Sequence, residues 1–218
     1  MLLALDTATP AVTVALADDG GVLAEHTVLD ARRHAELLAP AVIALLRQAG
    51  VGRRALTRVA VGVGPGPFTG LRVGLVTART LGAALEIPVL GVCTHDLLAL
   101  EAVSAGQVEG AFRVVTDARR REVHWSGYET TGSGATARPS RIDGPHVDRP
   151  AEVAWGGPAV GAGAALYAEH FPDHRGPRLP SAGELCRWVL SGGPTLDPDP
   201  LYLRRPDVAE PGVRNRVS

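Results

Sequence analysis

The sequence predicts a two-lobed α/β protein, and three observations carry that prediction. Alternating and continuous apolar runs follow one another through residues 1–103 in the order β-β-β-α-β-α-β-α. The second half then reopens with a matching hairpin: Asp6 precedes Val12 by six residues and Asp117 precedes Val123 by six, which hints at a duplicated unit. Finally, 218 residues that are 45% hydrophobic and 21% charged suffice to bury a core, yet fall short of two full-sized domains. The expected division is a first lobe over 1–103, a reduced second lobe over 104–193 and an extended tail over 194–218.

Residues 2–6 form an apolar run, Val12, Val14 and Leu16 alternate along 11–17, and alternation returns over 22–28, giving three strands. Asp18-Asp19-Gly20-Gly21 suits the tight turn between the second and third, because glycine and aspartate tolerate positive φ. Leu38, Val42, Leu45, Leu46 and Ala49 recur at three and four, so a helix is expected over 34–49, bent at Pro40 and ended by Gly50. A buried strand at 59–63, a glycine-proline loop and a helix over 70–85 follow. Residues 88–93 read as another buried strand, and Thr94 as the cap of a helix through Val103. Beyond it, 113–116 and 123–128 read as strands, 129–151 as a loop, and Ala159 to Phe171 as a glycine turn feeding a helix. Ser181 with Glu184 three residues on forms a capping box for a last helix that stops at Gly192-Gly193.

All 22 basic residues are arginine. Without lysine there is no P-loop, no Schiff base and no lysine-dependent acyl transfer. Basic and acidic residues number 8 and 9 through residue 103 and 14 and 14 beyond it, so neither half is a block built for polyanions. Cys93 and Cys186 belong to no C-x-x-C pair and read as reduced, packed thiols of a cytoplasmic protein. Met1 to Asp6 reads as a strand and not as a signal peptide. No stretch approaches the roughly 20 apolar residues of a membrane span.

Gly64-Pro65-Gly66-Pro67-Phe68-Thr69-Gly70-Leu71-Arg72-Val73-Gly74 is the most informative segment. A glycine loop entering a helix can bind an anion, but Pro65 and Pro67 remove donors such a cradle uses. The alternative is structural, with rigid prolines and Thr69 as N-cap aiming the helix. Along that helix Gly70, Gly74, Ala78 and Gly82 repeat every fourth residue. Such a ridge admits close approach, either by the protein's own sheet and the His34 helix or by a helix of a second subunit. Asp6 and Thr7 sit in the first turn, where an acid can orient a metal or phosphate, or can simply satisfy its own backbone. Arg119, Arg120 and Arg121 read as a solvated tip or as a contact for an acidic partner or an RNA phosphate. His34, His95 and His124 lack metal-ligand spacing, and no G-x-S-x-G occurs, so no metal and no catalytic residue is assigned.

Leu2-Leu3-Ala4-Leu5-Asp6-Thr7-Ala8-Thr9, His34-Ala35-Glu36-Leu37-Leu38, the glycine-proline segment and Ile87-Pro88-Val89-Leu90-Gly91-Val92 together resemble the TsaB (YeaZ) family. Thr116-Asp117-Ala118-Arg119-Arg120, Val160-Gly161-Ala162-Gly163-Ala164 and Pro200-Leu201-Tyr202-Leu203-Arg204 extend the resemblance more loosely. It implies an actin-like, ribonuclease H-like (ASKHA) fold and a role in making threonylcarbamoyladenosine at position 37 of tRNA. It also implies a non-catalytic subunit beside the catalytic paralogue TsaD and the ATPase TsaE, with self-association into a homodimer when alone. Contact with tRNA would be indirect, no cofactor would be bound by this chain alone, and ATP or ADP would sit only at a junction shared with the partner.

The expected interface pairs two helices with those of TsaD: His34 and Leu38 from the first, and Phe68, Thr69, Gly70, Leu71, Arg72, Gly74, Leu75, Ala78 and Gly82 from the second. The departures from the paralogue agree with this role. Its metal-holding H-x-x-x-H has one counterpart here, His95, with Ala99 where the second would fall, and its glycine-rich phosphate turn is replaced by Asp117-Ala118-Arg119-Arg120-Arg121. The alternative is an autonomous phosphotransferase or protease-like enzyme using Asp6.

Overall fold

The computed structural model describes residues 1–203. Strands β1 (Leu2–Asp6), β2 (Ala11–Asp18) and β3 (Gly21–Leu29) form an antiparallel meander, and β4 (Arg58–Gly62) and β5 (Val89–Val92) extend it in parallel, in the order β3-β2-β1-β4-β5. Side-chain alternation decides the layers. Leu3, Leu5, Val14 and Val61 face helices α1 (His34–Gln48) and α2 (Phe68–Leu85), while Leu2, Ala4, Ala15 and Ala60 face the opposite side.

The second sheet repeats the first strand for strand. Strands β6 (Ala111–Arg119), β7 (Glu122–Thr131), β8 (Arg138–Asp148), β9 (Ala159–Val160) and β10 (His174–Arg175) lie in the order β10-β9-β6-β7-β8. Reversed, this order and its two antiparallel and two parallel pairings reproduce the first sheet. The hairpin offset thus reflects a repeated sheet topology, which is that of the actin-like, ribonuclease H-like fold.

Helix α3 (Thr94–Ser104) lies between the sheets: Leu97 and Leu100 pack on the first, Leu98, Ala99 and Ala102 on the second. A helix apolar nearly all round belongs in an interior. Short α4 (Ala162–Leu166) covers the outer face of the second sheet.

Four expectations are corrected. Residues 129–151 are not one loop: 138–148 form edge strand β8, whose Pro139 and Pro145 an edge tolerates and whose polar outer face hides the alternation. Helix α5 (Ala182–Leu190), assigned to the second lobe by its place in the chain, buries Leu185, Trp188 and Val189 against the first sheet. Thr69 does not cap α2, which starts at Phe68 after Pro67, and Thr94 is the first residue of α3, after Cys93. The capping box at Ser181 is present in its first half: its hydroxyl accepts from the Glu184 N–H at 3.1 Å.

Residues 194–203 return to the first lobe, where Leu196 bridges Gly91 and the Leu201 N–H donates to the Val63 carbonyl at 2.9 Å. The remainder of the expected tail, 204–218, lies outside the described residues. No helix among the described residues is long and apolar enough to cross a membrane.

Candidate functional site

The turn after β1 is locked from several sides. Asp6 Oδ1 accepts from the Ala8 N–H at 2.7 Å and Oδ2 from the Thr94 hydroxyl at 2.7 Å. A Cβ on Gly62 would fall 1.7 Å from Asp6 Oδ2, so only glycine fits beneath the carboxyl. Asp6 is fully buried, and burial raises its pKa to about 6 against the lowering pull of Thr94, Ala8 and His34. Both oxygens of Asp6 are thus engaged by donors of the chain itself, which makes the residue a structural corner between β1 and the start of α3. Thr7 is equally engaged: its hydroxyl donates to the Gly70 carbonyl at 2.7 Å and accepts from the Gly74 N–H at 3.0 Å, tying the first turns of α2 to β1.

That tie resolves the small-residue ridge. A Cβ on Gly70 would lie 2.7 Å from the Thr7 carbonyl oxygen, on Gly74 2.6 Å from Thr7 Oγ1, and on Gly82 2.4 Å from Val89 Cγ2. Ala78 is buried in the same layer. The ridge serves close approach to the protein's own sheet, which corrects its assignment to a partner helix. His34, Leu38, Leu71 and Leu75 are buried with it, and His34 Nε2 lies 2.8 Å from the Thr9 carbonyl.

The exposed side of α2 is what remains for a partner. Phe68 is 46% and Val76 61% exposed, and with Thr69, Arg72, Val73, Thr77 and Ala35 of α1 they line an open groove of about 480 Å³. Three of the expected interface residues lie there: Phe68, Thr69 and Arg72. The C-terminal segment adds a fourth that sequence reasoning did not assign. Tyr202 stacks on Phe68 with ring centroids 5.2 Å apart, and the Arg72 guanidinium sits 3.7 Å over Phe68 while its Nε donates to the Tyr202 hydroxyl at 2.7 Å. Arg79 pairs with Asp199 two turns farther along α2. No local signal could reveal contacts that span 130 residues.

The lobes meet at the N-terminus of α3. His95, fully buried, places Nδ1 2.8 Å from Ser126 Oγ and Nε2 2.9 Å from Thr116 Oγ1, both on the second sheet. Burial, then the His124 and Arg141 charges, hold its pKa well below the usual histidine range. Burial also lowers His124 to about 4, against Asp117. Beside them Asp96 accepts from the Tyr128 hydroxyl at 2.6 Å and faces Arg141 at 3.4 Å. Burial first, then Asp96, pushes the Cys93 thiol up to about 12, which favours the protonated form near neutrality.

A cleft of about 200 Å³ opens above this junction, with Thr9, Pro67, Thr116, Asp117, Arg119 and Arg178 in its walls. Arg119, Arg120 and Arg121 all adopt positive φ, and Asp117 accepts from the Arg119 N–H at 2.8 Å. The turn is thus tight and carries three exposed arginines, one of which, Arg119, lines the cleft. Among the described residues, no three His, Cys, Asp or Glu side chains are placed to hold a metal ion.

Comparison with known proteins places the chain in a family. The family model for TsaD, tRNA N6-adenosine threonylcarbamoyltransferase, matches residues 10–195. An uncharacterised Mycobacterium tuberculosis protein is 43% identical over 212 residues, covering 94% of this chain and 92% of the relative. The Escherichia coli tRNA threonylcarbamoyladenosine biosynthesis protein TsaB is 40% identical over 135 residues, covering 61% of this chain and 57% of the relative. The solved YeaZ from Pseudomonas aeruginosa superposes with a TM-score of 0.76 at 32% identity, covering 93% of this chain and 99% of that one. A second Pseudomonas aeruginosa structure, described as similar to the peptidase YeaZ, gives 0.78 at 33% identity with the same coverage. With sequence and structure matched over nearly their whole length, the chain belongs to the TsaD family and, within it, to the TsaB (YeaZ) group.

Proposed function

We propose that this chain works in tRNA threonylcarbamoyladenosine biosynthesis as a non-catalytic subunit that docks a TsaD-type transferase through the exposed edge of α1 and α2. Relatives named for that pathway support the process. The observation that carries the role is a contrast: Phe68, Arg72 and Tyr202 stack in the open beside an apolar groove, while Asp6, His95 and Cys93 are sealed inside. Aromatic side chains with an arginine are what interface hot spots are made of, and a standard interface of about 1,600 Å² needs no chemistry from this side.

A TsaE-type ATPase and tRNA enter as members of the same cytoplasmic assembly. ATP or ADP belongs at the junction with the partner and not on this chain alone. In the isolated chain the same face pairs two copies as a homodimer.

Co-purification with a TsaD-type transferase, then tRNA modification assayed with and without this chain in the presence of a TsaE-type ATPase, tests the reading. Modification should require both proteins, with none from this chain alone. Turnover by this chain unaided, or no complex, overturns it. The cleft with Arg119 and Arg178 favours one competitor, an autonomous phosphotransferase. Calorimetry with ATP and magnesium on the purified chain separates the two, since only that enzyme would bind at micromolar levels.

A further inference from the structure

We propose that Arg72 is the receptor for a carboxylate on the docking partner, its guanidinium held by Phe68 and Tyr202 so that the Nη1 and Nη2 end is left to grip it. The side chain is exposed, lies 3.7 Å over the Phe68 ring and uses one donor, Nε, on the Tyr202 hydroxyl at 2.7 Å. A guanidinium carries five N–H donors, and the four on Nη1 and Nη2 meet no acceptor among the described residues. Two parallel N–H groups at that end match the two oxygens of a carboxylate.

The charge pattern shows why an acid fits here. Helix α2 carries two arginines, Arg72 and Arg79, and no acidic residue. The C-terminal segment runs past both and treats them differently. Asp199 neutralises Arg79, whereas Tyr202 meets Arg72 with a neutral phenol that fixes the side chain and leaves its charge uncompensated. Beside it the groove is apolar, walled by Val73, Val76 and Ala35. Val76 follows Arg72 by one helical turn, about 6 Å along the axis. The matching partner surface is therefore an acidic side chain next to an apolar one at that spacing.

Tyr202 can hold Arg72 because the segment that carries it is fastened elsewhere. Leu196 exchanges two backbone hydrogen bonds of 2.8 Å with Gly91, and the Leu201 N–H donates to the Val63 carbonyl. A Cβ at residue 91 would lie 2.5 Å from the Asp197 carbonyl oxygen, so glycine there lets the segment lie down on β5. None of these anchors uses the Arg72 or Tyr202 side chain. The rotamer freedom that a surface arginine gives up on binding is already lost in the free chain, which lifts the usual weakness of an exposed ion pair. The receptor rests on the docking role proposed above and names what that face selects.

Calorimetric titration of a TsaD-type transferase into the full chain at about 50 mM and about 500 mM salt tests it, with wild type, Arg72→Gln, Arg72→Lys and Tyr202→Phe. Wild-type affinity should fall with salt, and Arg72→Gln should lose at least tenfold at the lower salt and flatten that dependence. Arg72→Lys, a point charge without the fork, should stay at least threefold weaker than wild type. Tyr202→Phe keeps the ring stack and removes the hydroxyl, so it should weaken binding about threefold at the lower salt and less at the higher, where a merely structural role would lower both alike. Either Arg72 variant equal to wild type in affinity and salt slope overturns the receptor and leaves the docking role standing. No binding by the wild type at either salt overturns the docking role, and the receptor falls with it. Should the Arg72 variants fail to fold, Tyr202→Phe decides alone: affinity equal to wild type at both salts overturns the proposal.

Discussion

Thr94 and Asp6 lie 88 residues apart in the chain and meet across 2.7 Å, the threonine hydroxyl donating to Asp6 Oδ2 while it accepts from the Gly64 N–H at 3.2 Å. The bond joins the end of β1 to the start of α3. Asp6→Ala strands two buried donors, Thr94 and the Ala8 N–H, at about 1–3 kcal/mol each. The expected loss is about 3 kcal/mol, or roughly 6–12 °C in Tm by calorimetry. A neutral result would mean that the corner carries no stability.

Asp6 also carries a proton signature. Its folded pKa of about 6 stands above the ordinary 3.8, so its ionisation in the fold is resisted. Its contribution to stability is complete below pH 3.8 and disappears as pH climbs through about 6. Asp6→Asn keeps an acceptor for Ala8 and removes the titration. The Tm-against-pH curve should flatten between those limits, and an unchanged slope would assign that proton elsewhere.

Gly74→Ala puts a methyl 2.6 Å from Thr7 Oγ1. Overpacking of this kind costs about 1–3 kcal/mol, read as a lower Cm in urea at constant m. Substitutions along the ridge report on the fold and not on docking. An unshifted Cm would show that β1 and α2 separate more easily than their hydrogen bonds indicate.

Val76→Glu probes the exposed edge instead. Val76 is 61% exposed, so the melting temperature should stay within about a degree while affinity for a TsaD-type partner falls at least tenfold. Titration by calorimetry reads the affinity. Equal binding would move the docking surface elsewhere.

Both thiols should be inert in the native chain. Burial pushes Cys93 and Cys186 up to about 12 each. A disulfide reagent at about pH 8 should label neither within minutes and both in denaturant, because attack requires thiolate and access. Rapid native labelling would contradict the packing around α3 and α5.

Local chemistry was readable from the sequence wherever a short pattern decides it. The alternation of Val12, Val14 and Leu16 placed β2, and Ser181 with Glu184 placed the start of α5. What escaped depends on the third dimension. The spacing of Gly70, Gly74 and Gly82 says that something comes close but not what, and here it is Thr7 and Val89. Strand β8 is polar on its outer side and lies at a sheet edge, so it carries no period-two stripe. Tyr202 gains its place only because the chain end doubles back onto Phe68.

Thr94 grips Asp6 on one sheet, and His95, the very next residue, grips Thr116 and Ser126 on the other. One peptide unit thus rivets both halves, and swinging them apart would mean tearing interior bonds on one side or the other. A partner seated on the outer helices would be tied through this unit to the far sheet and its arginine-tipped hairpin.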